Sequence, residues 1–551
     1  MAAESGSTTA GNAIRPRLDH RGFPLATDDQ RRQANREWIS RIDPDAVCAL
    51  AARYYEGGNT GRHTRCRVFG KHNGSFNVCF FVVFDDGSDN EPSLVSQPSE
   101  PPPGVKWVVR IPLAPAIMDN DPWLRLQSEV VTMRYLQLHT RIPIPHIHAF
   151  GQDARLMKTG TTSRADHKTQ SFLITDFVEG EPLEVSKLEK LDTETRQLFL
   201  GQVVDILADL RALEFPRIGC LLPNEPYDSF PSQPSLGPVQ FLPSTNLLLP
   251  QPPPAPFSSA RAYMRYRYRM LVAHFQEPYR DHNIDGVRRE IFALHQLQAA
   301  YEDVVGKHDN GPFVLNHADP HASNIIVDST WRVRGVLDWE YAATVPLPVF
   351  TPPSWVTGHD AGRASRLQRN RQRAVHADFY AVLAKRAQTN TVCATLLTVW
   401  YKEAVVCPGP SSAEPQGADG PTAFCVAHCL RRSAEAAHTF YEFLAPEPMR
   451  PQNCDEDDDN NDTNESGEKQ VCEASRLREQ LRGFFDENDD LAADAQRLAD
   501  TCARYTAYLK ENGLYETERD RQLARFHKLK KEFDLKMKLI REQWANSKGP
   551  A

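Results

Sequence analysis

One stretch of the chain constrains its fold more than any other feature. Residues 314–328 read Val-Leu-Asn-His-Ala-Asp-Pro-His-Ala-Ser-Asn-Ile-Ile-Val-Asp, so a polar loop separates two short apolar runs. Short apolar runs bounded by polar turn residues are typical of buried strands. A further run, residues 332–337, leads directly to Asp338. The pattern predicts that Asp319, Asn324 and Asp338 lie on tight loops at the ends of neighbouring strands.

Two carboxylates and one amide in this setting suit phosphoryl transfer. That reaction needs a carboxylate beside the attacking hydroxyl, and it needs Mg²⁺ held by oxygen ligands against the nucleotide phosphates. Because Mg²⁺ keeps waters and phosphate oxygens as ligands, one Asn and one Asp suffice from the protein. The spacing His317-x-Asp319-x-x-x-x-Asn324, followed by Asp338, matches the paired catalytic and metal-binding loops of kinases. The alternative is a polar turn between two core strands.

The amino-acid sequence of these segments resembles the motif pair of the aminoglycoside phosphotransferase and choline kinase-like family. The resemblance implies an α+β, two-lobed, protein-kinase-like fold, with a small antiparallel-sheet lobe and a large, mainly helical lobe. It also implies that Asp319 is the catalytic base, that Asn324 and Asp338 are Mg²⁺ ligands, and that His317 is structural. The likeness is to large, divergent members of fungal type, and the family name alone does not identify an acceptor.

A glycine-containing turn is predicted far upstream of the catalytic segment, between two predicted strands. It consists of Gly74-Ser75-Phe76-Asn77. In kinase-like enzymes such a turn covers the nucleotide phosphates with backbone N–H groups. Most glycine turns between strands are only hairpins, and this reading stays open as the alternative.

Two charged residues and a hinge complete the expected nucleotide site. Arg110 stands in the third strand, where the family's phosphate-pairing cation belongs, and Glu129 opens the next helix, where its partner belongs. The alternatives are a solvent-facing Arg and an ordinary Glu at a helix start. Arg differs from the Lys of protein kinases in its planar fork of donors. Residues 173–180 resemble the hinge between lobes, so backbone groups near Phe177 and Val178 are expected to bind adenine.

Composition shifts divide the chain into three parts. Residues 1–44 are polar and are expected to be disordered. Residues 45–180 form the predicted nucleotide-binding lobe, in the order strand, strand, strand, helix, strand, strand. Residues 181–551 form the predicted catalytic and substrate lobe, with an acidic loop at 453–468.

The C-terminal segment has the pattern of an amphipathic helix. Its apolar residues share one helical face: Phe526, Leu529, Phe533, Met537, Ile540 and Trp544. We interpret this face as packed on the large lobe, because apolar stripes usually mark core contacts. A partner or membrane-surface helix is the alternative.

Composition excludes several other classes of function. The net charge is −8, and no basic stripe of the kind that binds nucleic acid is present. No run of about eighteen uncharged apolar residues occurs, so a membrane span is not expected. The 11 cysteines are scattered and predict reduced thiols in a cytoplasmic protein. The spacing of Cys425, His428 and Cys429 offers half a metal site, but without a matching second pair helix packing is favoured.

One acidic cluster bears on the acceptor. A cationic substrate could be received by Asp486, Glu487, Asp489 and Asp490. A solvated acidic helix end is the favoured interpretation.

The sequence therefore predicts an enzyme that transfers the γ-phosphate of ATP, with GTP as the alternative nucleotide, to a hydroxyl of an unidentified small molecule. Mg²⁺ is the expected cofactor. The alternative from another class is a weak or inactive, pseudokinase-like scaffold that binds protein partners, and intact Asp319, Asn324 and Asp338 argue against it. A kinase of protein substrates is disfavoured, because no Ala-Pro-Glu-type activation segment follows Asp338. These motifs encode neither the acceptor nor the oligomeric state.

Overall fold

The first half of the chain forms a five-stranded antiparallel sheet in the computed structural model. The structure describes residues 18–55, 65–85, 104–113, 122–158, 169–224, 234–241, 253–357, 366–403, 422–445 and 477–515, and the single residues 522, 526 and 530. The strands are β1 Arg65–Asn73, β2 Asn77–Asp85, β3 Val105–Pro112, β4 Ile147–Ala154 and β5 Gln170–Asp176, in the spatial order β1-β2-β3-β5-β4. Helix α3, Pro122–His139, lies between β3 and β4 in the chain, which confirms the predicted order of elements.

Alternation along β3 divides its side chains between the two faces of the sheet. Trp107, Val109 and Ile111 are buried in a core that also contains Ile42 and Val47 of the N-terminal region. Because successive side chains of a strand point to opposite faces, Arg110 lies on the other face of the sheet.

The N-terminal segment departs from expectation. Residues 28–40 form helix α1, Asp28–Ser40, which begins with a capping box between Thr27 and Gln30. Phe23 is also buried, against Tyr505 and Leu509. The prediction that residues 1–44 are disordered is therefore wrong for 18–44, and residues 1–17 lie outside the described residues. The polar composition concealed α1, because Ile39 is its one buried residue and its stability comes from capping and distant contacts.

The remainder is mainly helical, as predicted. Its helices are α4 Val185–Leu188, α5 Thr193–Arg211, α6 Ala260–Phe275, α7 Ile284–Asp303, α8 Ser354–Thr357, α9 Arg366–Ala387, α10 Thr391–Glu403, α11 Thr422–Arg431, α12 Ala436–Thr439, α13 at 477–486 and α14 Asp489–Glu511, and α2 Pro44–Tyr54 precedes the sheet. The fold is thus α+β, with a small sheet lobe and a large, mainly helical lobe, as predicted. The division of the lobes at residue 180 stays a prediction.

Short strands in the large lobe hold the predicted catalytic segment. They are β6 Glu181–Pro182, β7 Glu214–Phe215, β8 Cys220–Leu222, β9 Ser235–Gly237, β10 Phe313–Asn316, β11 Ile325–Val327, β12 Val333–Val336 and β13 Ala343–Pro346. They pair as β13-β10-β7, β12-β11-β6 and β8-β9, all antiparallel.

Two C-terminal predictions have different outcomes. The acidic loop at 453–468 lies outside the described residues. Phe526 lies in a helical position but its surface is 61% exposed, so the predicted burial of the apolar stripe is not met at this residue. The other five stripe residues are outside the described set. Across the described ranges, no helix combines the length and apolar character needed to cross a bilayer.

Candidate active site

The catalytic loop is anchored by the strands on either side of it. Its first strand, β10, buries Phe313, Val314 and Leu315 completely, which fixes the point where the polar residues begin. A single 3₁₀ turn, Ala322–Asn324, then leads into β11. The loop between them carries the predicted base and the first predicted metal ligand.

Hydrogen bonds join the catalytic loop to the segment that carries Asp338. The Asn324 side-chain amide donates to the Asp319 carbonyl at 3.0 Å, and the Leu337 backbone N–H donates to the Asn324 carbonyl at 2.8 Å. These bonds place Asp319, Asn324 and Asp338 on two touching loops. The sequence prediction of their proximity agrees with this geometry, while their chemical roles stay predictions.

His317 lies between the same two loops. Its Nδ1 accepts the Asp319 backbone N–H at 3.2 Å, and its Nε2 donates to the Leu337 carbonyl at 2.9 Å. A backbone N–H can only donate and a carbonyl can only accept, so these partners assign the neutral imidazole with its proton on Nε2. Burial lowers the pKa of His317, which also favours the neutral form.

Asp338 has an unusual backbone and an unusual environment. Its φ is +63°, in the left-handed region where Asp is among the tolerated residues. Although 42% of its side-chain surface is exposed, Oδ1 is buried and accepts no hydrogen bond within the described structure. Burial, and then the neighbouring Glu340 carboxylate, raise the pKa of Asp338 to about 6. A bound cation would favour the ionised carboxylate.

Arg110 and Glu129 form the ion pair that their positions predicted. Glu129 is 1% exposed and Arg110 is 14% exposed, so the pair is almost completely removed from water. A second guanidinium nitrogen of Arg110 lies 3.6 Å from Asp338 Oδ1. The pair therefore links β3 and α3 to the second predicted metal ligand, and its role toward phosphates stays a prediction.

The glycine turn lies directly over this region. The Gly74 N–H donates to the Asn77 carbonyl at 2.9 Å, which makes Ser75 and Phe76 the two central residues of a tight hairpin. The Phe76 ring meets Tyr341, with ring centroids 5.9 Å apart. A Cβ atom at Gly74 would meet no atom within 4 Å, so open space adjoins this backbone. Such space is required if phosphates approach the turn.

A buried network that the sequence did not reveal joins this turn to the large lobe. The Asn77 side chain donates to Glu340 at 2.7 Å, and Glu340 also pairs with Arg125 at 2.6 Å. Arg125 donates to the Tyr341 hydroxyl at 2.6 Å. One signal was present: Arg125 precedes Glu129 by four residues on α3, so both project from the same helical face.

Phe177 and Val178, the predicted hinge residues, directly follow the strand β5. The Phe177 N–H donates to the Lys106 carbonyl at 3.1 Å, and the Phe177 ring meets Phe81 at 5.4 Å between centroids. Val178 lies against Gly335 of β12, where an added Cβ would be 3.0 Å from the valine side chain. These contacts place both residues between the sheet and the catalytic segment, and adenine binding there stays a prediction.

The residues present fit Mg²⁺. Hard oxygen atoms suit this ion, and Asp338 Oδ1 is a buried oxygen that lacks a hydrogen-bond donor. The Asn324 amide nitrogen already binds the Asp319 carbonyl, which leaves the amide oxygen to accept a metal. Within the described ranges no three His, Cys, Asp or Glu side chains converge as a preformed metal cluster. The half-site around His428 has another use, because His428 binds Glu435 at 2.7 Å.

One cation beside the predicted base was not anticipated. Arg432, immediately after α11, lies 3.4 Å from Asp319 Oδ1. No local pattern marked it, because 113 positions separate the two residues in the chain.

The chain is similar in sequence to a curated protein. Among curated proteins, Clavilactone A biosynthesis cluster protein Y of Ampulloclitocybe clavipes is 26% identical over 247 residues, which are 43% of this chain and 54% of that protein. The chain thus spans about half the length of that relative.

Solved structures with similarity include two enzymes. Plasmodium vivax ethanolamine kinase has a TM-score of 0.33 and 11% identity, covering 77% of this chain and 93% of that chain. A macrolide 2'-phosphotransferase of Brachybacterium faecium has a TM-score of 0.30 and 16% identity, covering 67% of this chain and 100% of that chain.

The family comparison covers the segment that carries every predicted site residue from Arg110 to Asp338. Residues 82–348 match the sequence model of APH, the phosphotransferase enzyme family. The resemblance that the motifs predicted is confirmed, and over residues 82–348 this chain is a match to the phosphotransferase enzyme family.

Proposed function

We propose that this protein transfers the γ-phosphate of ATP to a hydroxyl group of a small molecule. The family match supports phosphoryl transfer in general. The observation that carries the finer proposal is the meeting of Asp319, Asn324 and Asp338 on two hydrogen-bonded loops, opposite the Arg110–Glu129 pair. This arrangement supports a role for Asp319 beside the acceptor and for Asn324 and Asp338 as oxygen ligands.

In the proposed reaction Asp319 orients the acceptor hydroxyl and accepts its proton as the oxygen attacks the γ-phosphorus. A new phosphorus–oxygen bond forms while the bond to the leaving nucleoside diphosphate breaks. Asn324 and Asp338 would hold Mg²⁺, which when bound offsets negative charge on the nucleotide phosphates. Arg110, kept in place by Glu129, would contact the phosphates from the sheet side.

We also propose a cytoplasmic location for the enzyme. Eight cysteines lie within the described residues and none of them is joined in a disulfide. Reduced thiols are usual in that compartment.

Calorimetry of nucleotide binding, with and without Mg²⁺, tests the proposed roles before the acceptor is known. Asp319→Asn should retain Mg²⁺-dependent ATP binding and lose most transfer, because it removes a group needed mainly in the transition state. Asp338→Asn should weaken Mg²⁺-dependent binding about tenfold or more, and excess Mg²⁺ should partly restore it. Asn324→Ala should be a milder version of the Asp338 change.

The matched control is Asp285→Asn, an exposed first-turn residue of α7 that should change neither property. Parallel titrations with GTP decide the nucleotide. If the wild-type protein shows no Mg²⁺-dependent binding of either nucleotide, the scaffold alternative replaces the enzyme. If Asp319→Asn abolishes binding and Asp338→Asn does not, the two roles are exchanged.

A further inference from the structure

A small cavity lies on the large-lobe side of the catalytic loop. Asn316 and Ala318 form part of its wall, and Ala318 immediately precedes Asp319. Tyr341, whose ring touches Phe76 of the glycine turn, forms another part. The cavity is therefore lined by the residue before the predicted base and by a residue that contacts the turn proposed to cover the phosphates. Its volume of about 60 Å³ is enough for one carboxylate or phosphate group and little more.

Two guanidinium groups line this cavity, and their partners are electrically neutral. Arg267 of α6 donates to the Tyr263 hydroxyl at 3.2 Å and to the Leu430 carbonyl, and its guanidinium carbon lies 4.8 Å from the Phe241 ring centroid. Neither it nor Arg431 has a carboxylate within ion-pair distance among the described residues.

Arg431, at the end of α11, donates to the backbone carbonyls of Thr351 at 3.2 Å and Pro352 at 3.5 Å. Burial lowers the pKa of Arg431 to about 10, and the nearby negative charge of Asp319 opposes that shift. The side chain is therefore still cationic at neutral pH. A crowded cation without a charged partner is costly, and an entering anion would relieve that cost through charge-assisted hydrogen bonds.

The other groups that face the cavity do not cancel this charge. The Tyr341 hydroxyl is neutral, because burial and then the Glu340 charge raise its pKa. Asp319 is the carboxylate whose charge acts on Arg431, and it is paired with Arg432 at 3.4 Å. The four acidic residues considered for a cationic substrate, at positions 486, 487, 489 and 490, do not line this cavity.

We propose that the phosphate acceptor carries an anionic group, a carboxylate or a phosphate, in addition to its hydroxyl. The anionic group would lie between Arg267 and Arg431, and the hydroxyl would reach toward Asp319. Val345, Val349 and Phe241 supply apolar wall for the adjoining part of the molecule. This inference rests on the proposed function, and it excludes purely cationic amino alcohols and amino sugars as preferred acceptors.

Three probes that share one hydroxylated body and differ in one charged group test the inference. They are para-(hydroxymethyl)benzoate, the corresponding phosphonate and the corresponding benzylamine, with binding measured by calorimetry on the full chain. The carboxylate or the phosphonate should bind, and the benzylamine should not. The anion that binds more tightly shows whether the acceptor carries a carboxylate or a phosphate.

Substitutions then locate the binding. Arg431→Gln and Arg267→Gln should each weaken anion binding about tenfold or more, the effect of losing a hydrogen bond to a charged group. Arg431→Lys keeps the charge and should retain most of the affinity for the anion. This variant shows whether a loss of binding in Arg431→Gln comes from the lost charge or from misfolding. The matched control is Arg265→Gln, two residues before Arg267 on α6, exposed and paired with Glu302, which should leave anion binding unchanged.

Two results would overturn the inference: tighter binding of the benzylamine, or failure of both anions to bind. Nucleotide calorimetry on the same samples separates this inference from the proposed function. If an anion binds at Arg431 but Mg²⁺-ATP does not, the anion site stands and the phosphotransferase proposal fails. If Mg²⁺-ATP binds and the anions do not, the proposed function stands and the acceptor assignment fails.

Discussion

His317 joins the two loops of the candidate active site through a single side chain. Its ring joins the Asp319 backbone to the Leu337 carbonyl, one residue before Asp338. Both bonds need the neutral ring, since protonation of Nδ1 would remove the acceptor for the Asp319 N–H. The spacing of the predicted base and the second metal ligand therefore depends on a histidine that stays neutral while buried.

His317→Ala should lower the free energy of unfolding by about 2–4 kcal/mol, because it leaves a buried N–H and a buried carbonyl without partners. The lowered pKa also gives a pH signature. Below about pH 6.5 His317 binds a proton more readily in the unfolded chain than in the folded chain. The contribution of His317 to the free energy of unfolding is therefore fully present above that pH and decreases as the pH falls.

Denaturant unfolding of wild type and His317→Ala at about pH 7.5 and about pH 5.5 checks this prediction. The difference between the two proteins should shrink at the lower pH. The exposed His438, changed to Ala, serves as the control and should show no such trend. A difference that does not change with pH would mean that the folded protein protonates His317 as readily as the unfolded chain does.

At the scale of elements, the hinge depends on one glycine. Gly180 has φ +137°, and a Cβ atom there would lie 2.5 Å from the Val327 carbonyl oxygen. The next residues pair with β11, with Glu181 opposite Val327 and Pro182 opposite Ile326. A side chain at 180 would therefore push the hinge away from the strand that leaves the catalytic loop.

Gly180→Ala should lower the free energy of unfolding by about 2 kcal/mol or more, through backbone strain and loss of the β6–β11 pairing. Gly74→Ala is the informative counterpart, because its Cβ would enter open space. We expect it to change stability by less than about 0.5 kcal/mol but to weaken nucleotide binding. Chemical denaturation and nucleotide calorimetry measure both. Equal losses of stability in the two variants would contradict this distinction between the glycines.

The two kinds of element differ in how far sequence could predict them. The strands and the polar loop around Asp319 are formed by contiguous residues, so the pattern of apolar and turn-forming residues was enough to predict them. The bond between Asn77 and Glu340 spans 263 positions, and no local pattern encodes such a meeting. Helix α1 was missed for a related reason: its sequence is polar, and the contacts that order it are distant in the chain.

At the scale of the whole molecule, the N-terminal segment ties the two lobes together. Phe23 packs on Tyr505 and Leu509 of α14, in the helical lobe. A few residues later Ile39 and Ile42 are buried in the core of the sheet lobe. The N-terminal segment thus contacts both lobes, separately from the hinge. Loss of its contacts should destabilise both α14 and the helix α1 that follows Phe23.

Phe23→Ala should lower the free energy of unfolding by about 3 kcal/mol, the usual cost of removing a buried phenyl ring. It should also speed amide exchange in α1 and α14, because the ring contacts Tyr505 and Tyr508 at 5.3 Å between centroids. Hydrogen exchange read by mass spectrometry resolves these two helices from the catalytic segment. Leu25→Ala is the control, since Leu25 is apolar, close in sequence and 54% exposed. If exchange in α14 is the same in both variants, Phe23 does not hold the N-terminal segment to the helical lobe, and the lobes are joined by the hinge and the Asn77–Glu340 contact instead.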